Sequence, residues 1–380
     1  MRILVTGGAG FIGSWLVESL LASGDTVTVL DNLSPQIHGD APALDAGWAS
    51  HRNCKFKRGD IRDHALMDAL LVECDAVVHL AAETGTGQSM YQIAHYSDVN
   101  VGGTARLLEL IGTRHRHVRK LVFASSRSIY GEGAYELDGE LIVPAPRSAA
   151  QLQAGRWEPV HTDGRPLRLV PTPEHVVPRP ASVYAANKLA GEQLAAVVAE
   201  AYGLSTVALR FQNVYGERQS LHNPYTGILS IFSNRMRSGL PINIFEDGRE
   251  SRDFVHVNDV VHAIRLALQS EAESFSAINI GSGIPTSVLE IAGHLRVLLS
   301  SSSDIKVSGD FRAGDIRHCY ADLSRARAVL GFTPRISLTE GLGRFVEWVQ
   351  TQAVGADRSQ SAQAELAALG LGRGTPSCSS

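Results

Sequence analysis

Residues 2–13 read RILVTGGAGFIG, an apolar run that stops at a glycine-rich turn and continues with apolar residues at helical spacing. A strand, a turn and the start of a helix in this order are typical of a βαβ dinucleotide-binding unit. In such a unit Gly7 permits the tight turn, Gly10 lets the backbone approach the pyrophosphate, and Gly13 lets the helix pack on the strand. The amino end of the helix then faces the phosphates. This context disfavours the alternative, a purely structural glycine turn.

A second apolar run, Thr26–Leu30, ends at Asp31, which lies 18 residues after Gly13. An acid at this point can accept hydrogen bonds from the adenosine ribose hydroxyls. No Arg or Lys follows Asp31 among the next several residues, so a 2′-phosphate would meet electrostatic repulsion. The sequence therefore predicts NAD, and not NADP, as the cofactor.

Further short apolar runs alternate with helix-like segments, at Lys55–Lys57, Ala76–Leu80, Leu121–Ala124, Thr206–Leu209 and Ala277–Ile280. This alternation indicates a parallel sheet covered by helices on both faces. We therefore predict an α/β fold with a Rossmann-type doubly wound parallel sheet.

Two stretches break the pattern. Residues 131–181 are rich in Pro and Gly, and so long an insertion is usually functional. We expect it to close over the cleft as a lid. Residues 353–380 are rich in Ala, Gln, Ser and Gly, which predicts a flexible tail.

The composition limits the classes of ligand. The 380 residues are 44% apolar and 19% charged, with a formal net charge of −4 at pH 7. This gives no reason to expect nucleic acid or a membrane surface as partner, so any anionic ligand must be held by local arginines. Four scattered cysteines predict neither a metal site nor a disulfide framework. Without a leader-like start or a run of about 18 apolar residues, the expected location is cytoplasmic.

A catalytic set is predicted at the end of the fifth apolar run and the start of a later helix. Ser125 and Ser126 follow that run, and Tyr184 and Lys188 are four residues apart, which places them on one helical face. A lysine ammonium and a positive nicotinamide would lower the pKa of the Tyr184 phenol from its usual value of ~10 toward neutrality. Tyr184 would then act as general base or acid, with the Ser126 hydroxyl bonded to the reacting oxygen. Taken without the glycine motif, the same pair would more often serve packing.

These motifs together resemble the extended short-chain dehydrogenase/reductase family, in its group of nucleotide-sugar epimerases and dehydratases. The resemblance runs from residue 1 to about 350. It implies an NAD-binding Rossmann domain over residues 1–212 and 255–284, and a smaller C-terminal α/β substrate lobe over residues 213–254 and 285–352. It also implies tightly held NAD, a nucleotide-diphosphate sugar as substrate and a homodimer.

The resemblance and the motifs together predict the site residues. The catalytic triad is Ser126, Tyr184 and Lys188. The predicted cofactor contacts are Gly7, Gly10, Phe11, Ile12, Gly13, Asp31, Asn32, Asp60, Ile61, Leu80, Ala81, Ala82, Asn100, Ser125, Tyr184, Lys188 and Phe211, with Asn100 chiefly as structural support. The predicted substrate contacts are Ser126, Ser128, Asn213, Arg252, Arg312 and Asp315. The two arginines would clamp the diphosphate, although either one alone would more often form a surface ion pair.

The reaction is inferred from Ser128, the residue before Ile129-Tyr130-Gly131. Dehydratases and decarboxylases of the family carry an acid at that position, and 3,5-epimerases carry a cysteine. With neither group, the remaining chemistry is transient oxidation at C4 and hydride return to the opposite face, which is a 4-epimerase. Arg127 departs from the small or apolar residue expected beside it, and either reaches a sugar substituent or points to solvent.

The sugar is suggested by local strings. Tyr130–Tyr135 and Asn223–Gly227 resemble the dTDP-L-rhamnose 4-epimerase group, which points to a dTDP- or UDP-linked hexose or 6-deoxyhexose. The alternatives are a dehydratase, decarboxylase or 4-ketoreductase on a nucleotide sugar, an oxidoreductase with another substrate, and an inactive NAD-binding regulator.

The homodimer has a predicted interface. The helices that begin near Val99 and Tyr184 carry apolar residues on faces expected to be exposed, among them Leu107, Leu108 and Ile111. In relatives such helices form a four-helix interface.

Overall fold

The structure is a computed structural model that describes residues 1–39, 47–221, 223, 227–271, 274–312 and 315–354, together with 365, 368, 369, 371, 373 and 374. The strands in these ranges are β1 (Arg2–Thr6), β2 (Thr26–Asp31), β3 (Cys54–Arg58), β4 (Ala76–His79), β5 (Lys120–Ser126), β6 (Tyr135–Leu137), β7 (Glu140–Ile142), β8 (Arg168–Leu169), β9 (Ser205–Phe211), β10 (Asn213–Tyr215), β11 (Ile242–Ile244), β12 (Ser251–His256), β13 (Phe275–Ile280), β14 (Pro285–Ser287), β15 (Ile305–Val307), β16 (Phe311–Arg312), β17 (His318–Cys319) and β18 (Arg373–Gly374).

The α-helices are α1 (Phe11–Ala22), α2 (Pro35–His38), α3 (His64–Leu71), α4 (Thr86–Ser89), α5 (Ile93–Ser97), α6 (Thr104–Thr113), α7 (Ala149–Gln153), α8 (Val183–Tyr202), α9 (Ile228–Arg237), α10 (Val257–Gln269), α11 (Val288–Leu298), α12 (Ser324–Leu330) and α13 (Leu338–Thr351). A π-helical turn over Asp98–Gly103 joins α5 to α6, and a 3₁₀ turn over Arg127–Tyr130 follows β5. Of the helices described, none combines the length and the apolar content that a membrane span requires.

The central sheet has seven strands in the order β13-β9-β5-β4-β1-β2-β3, and each neighbouring pair is parallel. Strands in the middle of a parallel sheet are covered on both faces, which is why they are apolar throughout. Val5, Val29 and Val78 are accordingly fully buried. All seven apolar runs fall in this sheet, so the predicted Rossmann-type α/β fold is confirmed.

The register aligns the carboxyl ends of the strands at one edge. Thr6, the last residue of β1, lies opposite Leu30 on one side and His79 on the other. The Thr6 hydroxyl and His79 Nδ1 are 2.7 Å apart, and His79 Nε2 lies 3.0 Å from the Thr104 hydroxyl. Burial lowers the pKa of His79 to about 3, so its neutral ring links the sheet to α6. The turns after β1, β2 and β4 therefore meet at the edge where parallel sheets bind ligands.

The two faces of the sheet carry separate apolar cores. One packs α1 and α10 against the sheet through residues such as Leu16 and Ile264. The other packs α3, α6 and α8 through residues such as Met67 and Leu107. A third core lies beyond the sheet, within residues 215–349, and includes Tyr215 of β10. Its other members come from helices α9, α11 and α13 and from strands β11 and β12.

Trp15 connects the glycine-turn helix to the segment after β10. Its indole Nε1 donates to the carbonyl oxygen of Glu217 at 3.0 Å. The guanidinium carbon of Arg218 lies 4.1 Å from the centroid of the Trp15 ring. Trp15 thus joins helix α1 to the segment that leads from β10 to the third core.

The insertion at residues 131–181 folds into a small sheet with strand order β7-β6-β8 and the helix α7. It is anchored on residues 315–322, where the Gly133 N–H donates to the carbonyl of His318 at 2.8 Å and Arg317 donates to the carboxylate of Glu158. The predicted tail, residues 353–380, lies largely outside the described residues, and its residues 373–374 pair with β16.

The apolar residues of α6 that were expected to be exposed are not. Leu107, Leu108 and Ile111 are at most 2% exposed and belong to the core between α6, α8 and the sheet. This part of the prediction was wrong, because a helix with a single apolar face turns that face to its own sheet. On α8, by contrast, Val197 is exposed.

Candidate active site

A cavity of about 500 Å³ runs along the carboxyl edge of the sheet, within the size range of small-molecule sites. Its wall contains every predicted cofactor residue except Asn100. The members are Gly7, Gly10, Phe11, Ile12, Gly13, Asp31, Asn32, Asp60, Ile61, Leu80, Ala81, Ala82, Ser125, Tyr184, Lys188 and Phe211. Residues that are far apart in the sequence thus form one site.

The glycine turn forms a cradle that a side chain would fill. Gly7 has φ +70°, and a Cβ there would lie 2.7 Å from the backbone nitrogen of Ala81. A Cβ on Gly13 would lie 2.3 Å from the carbonyl oxygen of Gly7. Gly10 caps α1 without a side-chain hydrogen bond, which leaves the amino end of the helix to the cavity. This geometry fits a pyrophosphate on the helix N-terminus.

Asp31 lies at the end of β2 on the same wall. Its Oδ2 accepts the Ala9 N–H at 3.0 Å, and its Oδ1 accepts the Leu33 N–H at 2.9 Å. Each carboxylate oxygen has two acceptor positions, so capacity remains for ribose hydroxyls. Asp60 is different, because the Arg62 guanidinium binds its carboxylate and lowers its pKa to about 2.

The proposed catalytic residues come from β5 and α8. Ser126 ends β5, and its hydroxyl oxygen accepts the Ser128 N–H at 3.1 Å. Tyr184 is in the first turn of α8, and its backbone N–H donates to the Ser89 hydroxyl at 3.0 Å. Lys188 Nζ donates to the carbonyl oxygen of Ala124 at 2.9 Å, and lies 5.9 Å from the centroid of the Tyr184 ring. The three side chains therefore meet at one end of the cavity.

Burial changes the pKa values of both Tyr184 and Lys188. Burial raises the pKa of Tyr184, while a hydrogen bond from Ser126 and the charge of Arg127 oppose that rise. Burial also lowers the pKa of Lys188 to about 8. Among the chain's own groups, desolvation outweighs the opposing charges. The expected lowering of the Tyr184 pKa toward neutrality also counts the positive nicotinamide of bound NAD, and it stays a prediction.

The predicted substrate residues divide into two sets. Ser126, Ser128 and Asn213 line the cavity. Arg252 lies off its wall and donates to the carbonyl oxygens of Ser251, Ile316 and Arg317 at 2.8 to 3.0 Å. Backbone carbonyls thus occupy the Arg252 guanidinium, and its expected contact with a diphosphate stays a prediction.

Arg312 and Asp315 also lie away from the wall. The guanidinium carbon of Arg312 is 4.6 Å from the centroid of the Phe245 ring. Asp315 is exposed, and its carbonyl oxygen accepts a hydrogen bond from Arg147 at 2.8 Å. The structure therefore does not bring these two predicted residues to the cavity.

Asn100 supports the wall from behind. Its Oδ1 accepts the Glu83 N–H at 2.8 Å, and its Nδ2 donates to the Glu83 carbonyl at 3.0 Å. Among the described residues it is Glu83, not Asn100, that lines the cavity. These bonds agree with the expected supporting position of Asn100, and its direct contact with the cofactor stays a prediction.

Gln212 and Arg127 are wall residues that were not predicted as contacts. Gln212 is buried, and within the described part of the chain neither its amide oxygen nor its amide nitrogen has a hydrogen-bond partner. In the sequence Gln212 stands between Phe211 and Asn213, which were both predicted as site residues, and this position could have identified it. No wall residue described comes from 131–181, and the role of this insertion as a lid stays a prediction.

Comparison with known proteins agrees with the geometry. The model of the NAD dependent epimerase/dehydratase family matches residues 3–149 and 161–281. A dTDP-L-rhamnose 4-epimerase of Burkholderia thailandensis is 42% identical over 357 residues, which is 92% of this chain and 94% of the relative.

Two solved structures extend the comparison. The UDP-glucose 4-epimerase of Thermotoga maritima with UDP-glucose has a TM-score of 0.74 and 31% identity, over 92% of this chain and 99% of that one. The Thermus thermophilus UDP-glucose 4-epimerase in complex with NAD has a TM-score of 0.71 and 31% identity, over 93% and 100% of the two chains.

Proposed function

Because the chain belongs to the NAD dependent epimerase/dehydratase family, we propose that it is an NAD-dependent nucleotide-sugar 4-epimerase. The observation that carries the proposal is one continuous cavity whose wall contains both the glycine turn and the Ser126, Tyr184 and Lys188 group. The relatives compared above are 4-epimerases with the same fold over nine-tenths of the chain.

The chain's residues divide the work of binding and proton transfer. NAD, when bound on the Gly7–Gly13 turn, supplies reversible hydride acceptance at C4 of the sugar. Tyr184 takes the proton of the C4 hydroxyl and later returns one to the same oxygen. The Ser126 hydroxyl lies beside the phenol of Tyr184 and favours its deprotonated form, because it lowers the pKa of Tyr184. Lys188, fixed on the Ala124 carbonyl, adds a positive charge near the ring.

Ser128 favours epimerisation over elimination. It stands immediately before Ile129, and its hydroxyl oxygen is buried without a partner among the described groups. A neutral alcohol has far too high a pKa to remove a proton from C5, whereas a carboxylate or a thiolate in its place could. A dehydratase or decarboxylase is therefore the weaker alternative.

We further propose that the substrate is a dTDP- or UDP-linked hexose or 6-deoxyhexose. The support is that the Burkholderia relative is a dTDP-L-rhamnose 4-epimerase and that the Thermotoga structure contains UDP-glucose. Asn213 on the cavity wall is our candidate for a polar contact to the nucleotide diphosphate.

The proposed domain division assigns residues 1–212 and 255–284 to NAD, and residues 213–254 and 285–352 to the substrate. The third core, which spans residues 215–349, supports a separate lobe. A homodimer and a cytoplasmic location are proposals of the same kind. The exposed Val197 on α8 supports the first, and the availability of NAD and nucleotide sugars in cytoplasm supports the second.

The test is a product analysis. The purified protein is incubated separately with dTDP-L-rhamnose and UDP-glucose in deuterated water, and the products are analysed by NMR. We expect a C4 epimer of one of them, without deuterium at C3 or C5. Deuterium uptake at C5 that keeps pace with product would indicate enolisation and overturn the assignment. Tyr184→Phe serves as the control for contaminating epimerase.

A further inference from the structure

Arg127 places a positive charge on the cavity wall. It is the first residue of the 3₁₀ turn after β5, between Ser126 and Ser128, and its side chain lines the cavity. Among the described residues the structure gives its guanidinium neither an ion pair nor a hydrogen bond. A guanidinium has five N–H donors. Those of Arg127 therefore face the cavity without protein acceptors.

Two buried arginines elsewhere in the molecule provide a comparison. Arg210 donates to both carboxylate oxygens of Glu192, to the Tyr130 hydroxyl and to the Glu174 carbonyl. Arg317 likewise binds three carboxylates, those of Glu158, Glu246 and Asp247. A buried cation is costly unless it is paired. Arg127 is only partly buried, and without described partners its N–H donors stay open to a ligand in the cavity.

The charged neighbours of Arg127 do not neutralise it. The nearest influences are the like charge of Arg252, the opposite charge of Glu132, and the acidic groups of Cys319 and Tyr184. Glu132 is already engaged, since it accepts hydrogen bonds from the Tyr135 hydroxyl and from backbone N–H groups. Burial and Arg252 lower the pKa of Arg127 to about 10, which leaves it protonated near neutral pH.

Two further polar groups at this end of the cavity lack partners. The Ser128 hydroxyl is buried without a hydrogen bond, and so are both amide atoms of Gln212, within the residues described. Gln212 is only 4% exposed and also lines the cavity. Buried polar groups are normally hydrogen-bonded. Because Arg127, Ser128 and Gln212 share the cavity wall, we expect a hydrogen-bonding ligand group at this wall.

We propose that Arg127, with Ser128 and Gln212, binds the oxygen substituents of the sugar next to the reacting carbon. This inference rests on the proposed function, because the ligand is the sugar part of the nucleotide sugar. The position of Arg127 directly after Ser126, and its electrostatic contact with Tyr184, favour the sugar over the diphosphate. The same charge stabilises the phenolate form of Tyr184, which then accepts the proton of the sugar hydroxyl and becomes a neutral phenol.

Binding measurements separate the sugar from the diphosphate. The NAD-loaded protein is titrated calorimetrically with dTDP-L-rhamnose and dTDP, and with UDP-glucose and UDP. Arg127→Met should weaken binding of the accepted nucleotide sugar about 10- to 100-fold, the size of a lost charged hydrogen bond, and leave the nucleoside diphosphate unchanged. Arg127→Lys should recover part of the loss. The matched control is Arg119→Met, an exposed arginine just before the amino end of β5.

Each other outcome also decides the question. If Arg127→Met loses affinity equally for the nucleotide sugar and the nucleoside diphosphate, Arg127 contacts the diphosphate. If it loses no affinity for either, Arg127 contacts neither ligand. If the wild-type protein binds a nucleotide sugar but forms no C4 epimer, the proposed function fails while the binding result still decides the contact of Arg127. If no nucleotide sugar binds the wild type, both proposals are overturned.

A pH profile provides an independent readout. Removing the cation raises the pKa of Tyr184, so the acidic limb of kcat should move to higher pH in Arg127→Met and return toward wild type in Arg127→Lys. Lys188, which remains in both variants, cannot produce this difference. An unshifted acidic limb would show that Arg127 does not act on the phenol.

Discussion

At the glycine-turn end of the cavity the wall is largely backbone, whereas at the sugar end it consists of polar side chains. The turn approaches its neighbours so closely that a Cβ on Gly7 or Gly13 would lie within 2.7 Å of backbone atoms. The sugar end presents Arg127, Ser128 and Gln212 instead. A backbone wall tolerates no added side chain, while a wall of side chains can change one residue at a time. Cofactor binding should therefore fail abruptly on mutation, and sugar binding gradually.

The largest expected effect lies where the two ends meet, at Tyr184. Tyr184→Phe removes the proton acceptor and should lower kcat about 10²- to 10⁴-fold while NAD stays bound. Steady-state kinetics and the absorbance of bound cofactor measure the two quantities. Tyr202→Phe, at the other end of α8, is the matched control and should keep the wild-type kcat. A Tyr184→Phe enzyme of full activity would assign the proton transfer to another group.

The backbone wall is tested by comparing two helical glycines. Gly13→Ala places a Cβ 2.3 Å from the Gly7 carbonyl oxygen and should lower the free energy of unfolding by about 2–3 kcal/mol, with loss of NAD binding. Gly293→Ala in α11 meets nothing within 4 Å and should stabilise the protein by up to ~1 kcal/mol. Urea unfolding measures both. Equal effects of the two changes would contradict the close packing of the turn.

The region around Arg317 is expected to depend on pH. Burial raises the pKa of Glu250 to about 7, and its Oε2 lies 3.8 Å from the Arg317 guanidinium. Since the folded pKa exceeds the unfolded value of about 4.3, the folded state binds the proton more tightly. The free energy of unfolding therefore falls as the pH rises from about 4.3 to about 7, and it stays low at higher pH.

Glu250→Gln removes this titration. It should raise the free energy of unfolding by about 1–3 kcal/mol at pH 8, and by less at pH 5. The exposed Glu347→Gln is the control and should show no such difference between the two pH values. A loss of stability at pH 8 in Glu250→Gln would mean that the ion pair with Arg317 outweighs the cost of burial.

The smallest expected effect is at Asp31. Asp31→Ala removes an acceptor and a negative charge, so NAD affinity should fall about 10-fold and the preference over NADP should narrow. The exposed Asp304→Ala should alter neither affinity. Tighter binding of NADP than NAD by the wild type would refute the assignment of Asp31.

The sequence was sufficient to predict the sheet and the cofactor wall, because both depend on local pattern. A strand end, a glycine turn and an acid at a fixed distance determine where Gly7, Gly13 and Asp31 must lie. The position of Arg252 depends instead on the carbonyls of Ile316 and Arg317, about 65 residues away, which no local pattern encodes.

Side-chain exposure and pKa values also depend on contacts between distant residues, so local pattern does not predict them either. The apolar face of α6 was visible in the sequence, but whether Leu107 faces the sheet or a second chain depends on tertiary packing. The pKa of Tyr184 could not be predicted from its spacing to Lys188, because the extent of desolvation follows from burial. Arg127 was noticed as an unusual residue, and only the fold shows that it faces the cavity.

Trp15 gives the molecule a built-in optical probe. Its indole is hydrogen-bonded to the Glu217 carbonyl and covered by Arg218, while its own helix begins at the glycine turn. Any sliding of the segment after β10 relative to α1 would break the hydrogen bond and move the guanidinium off the ring. Indole emission responds to both changes in its surroundings. In a variant that keeps only this tryptophan, stopped-flow fluorescence would time the movement of the two regions during a single turnover, without an attached dye.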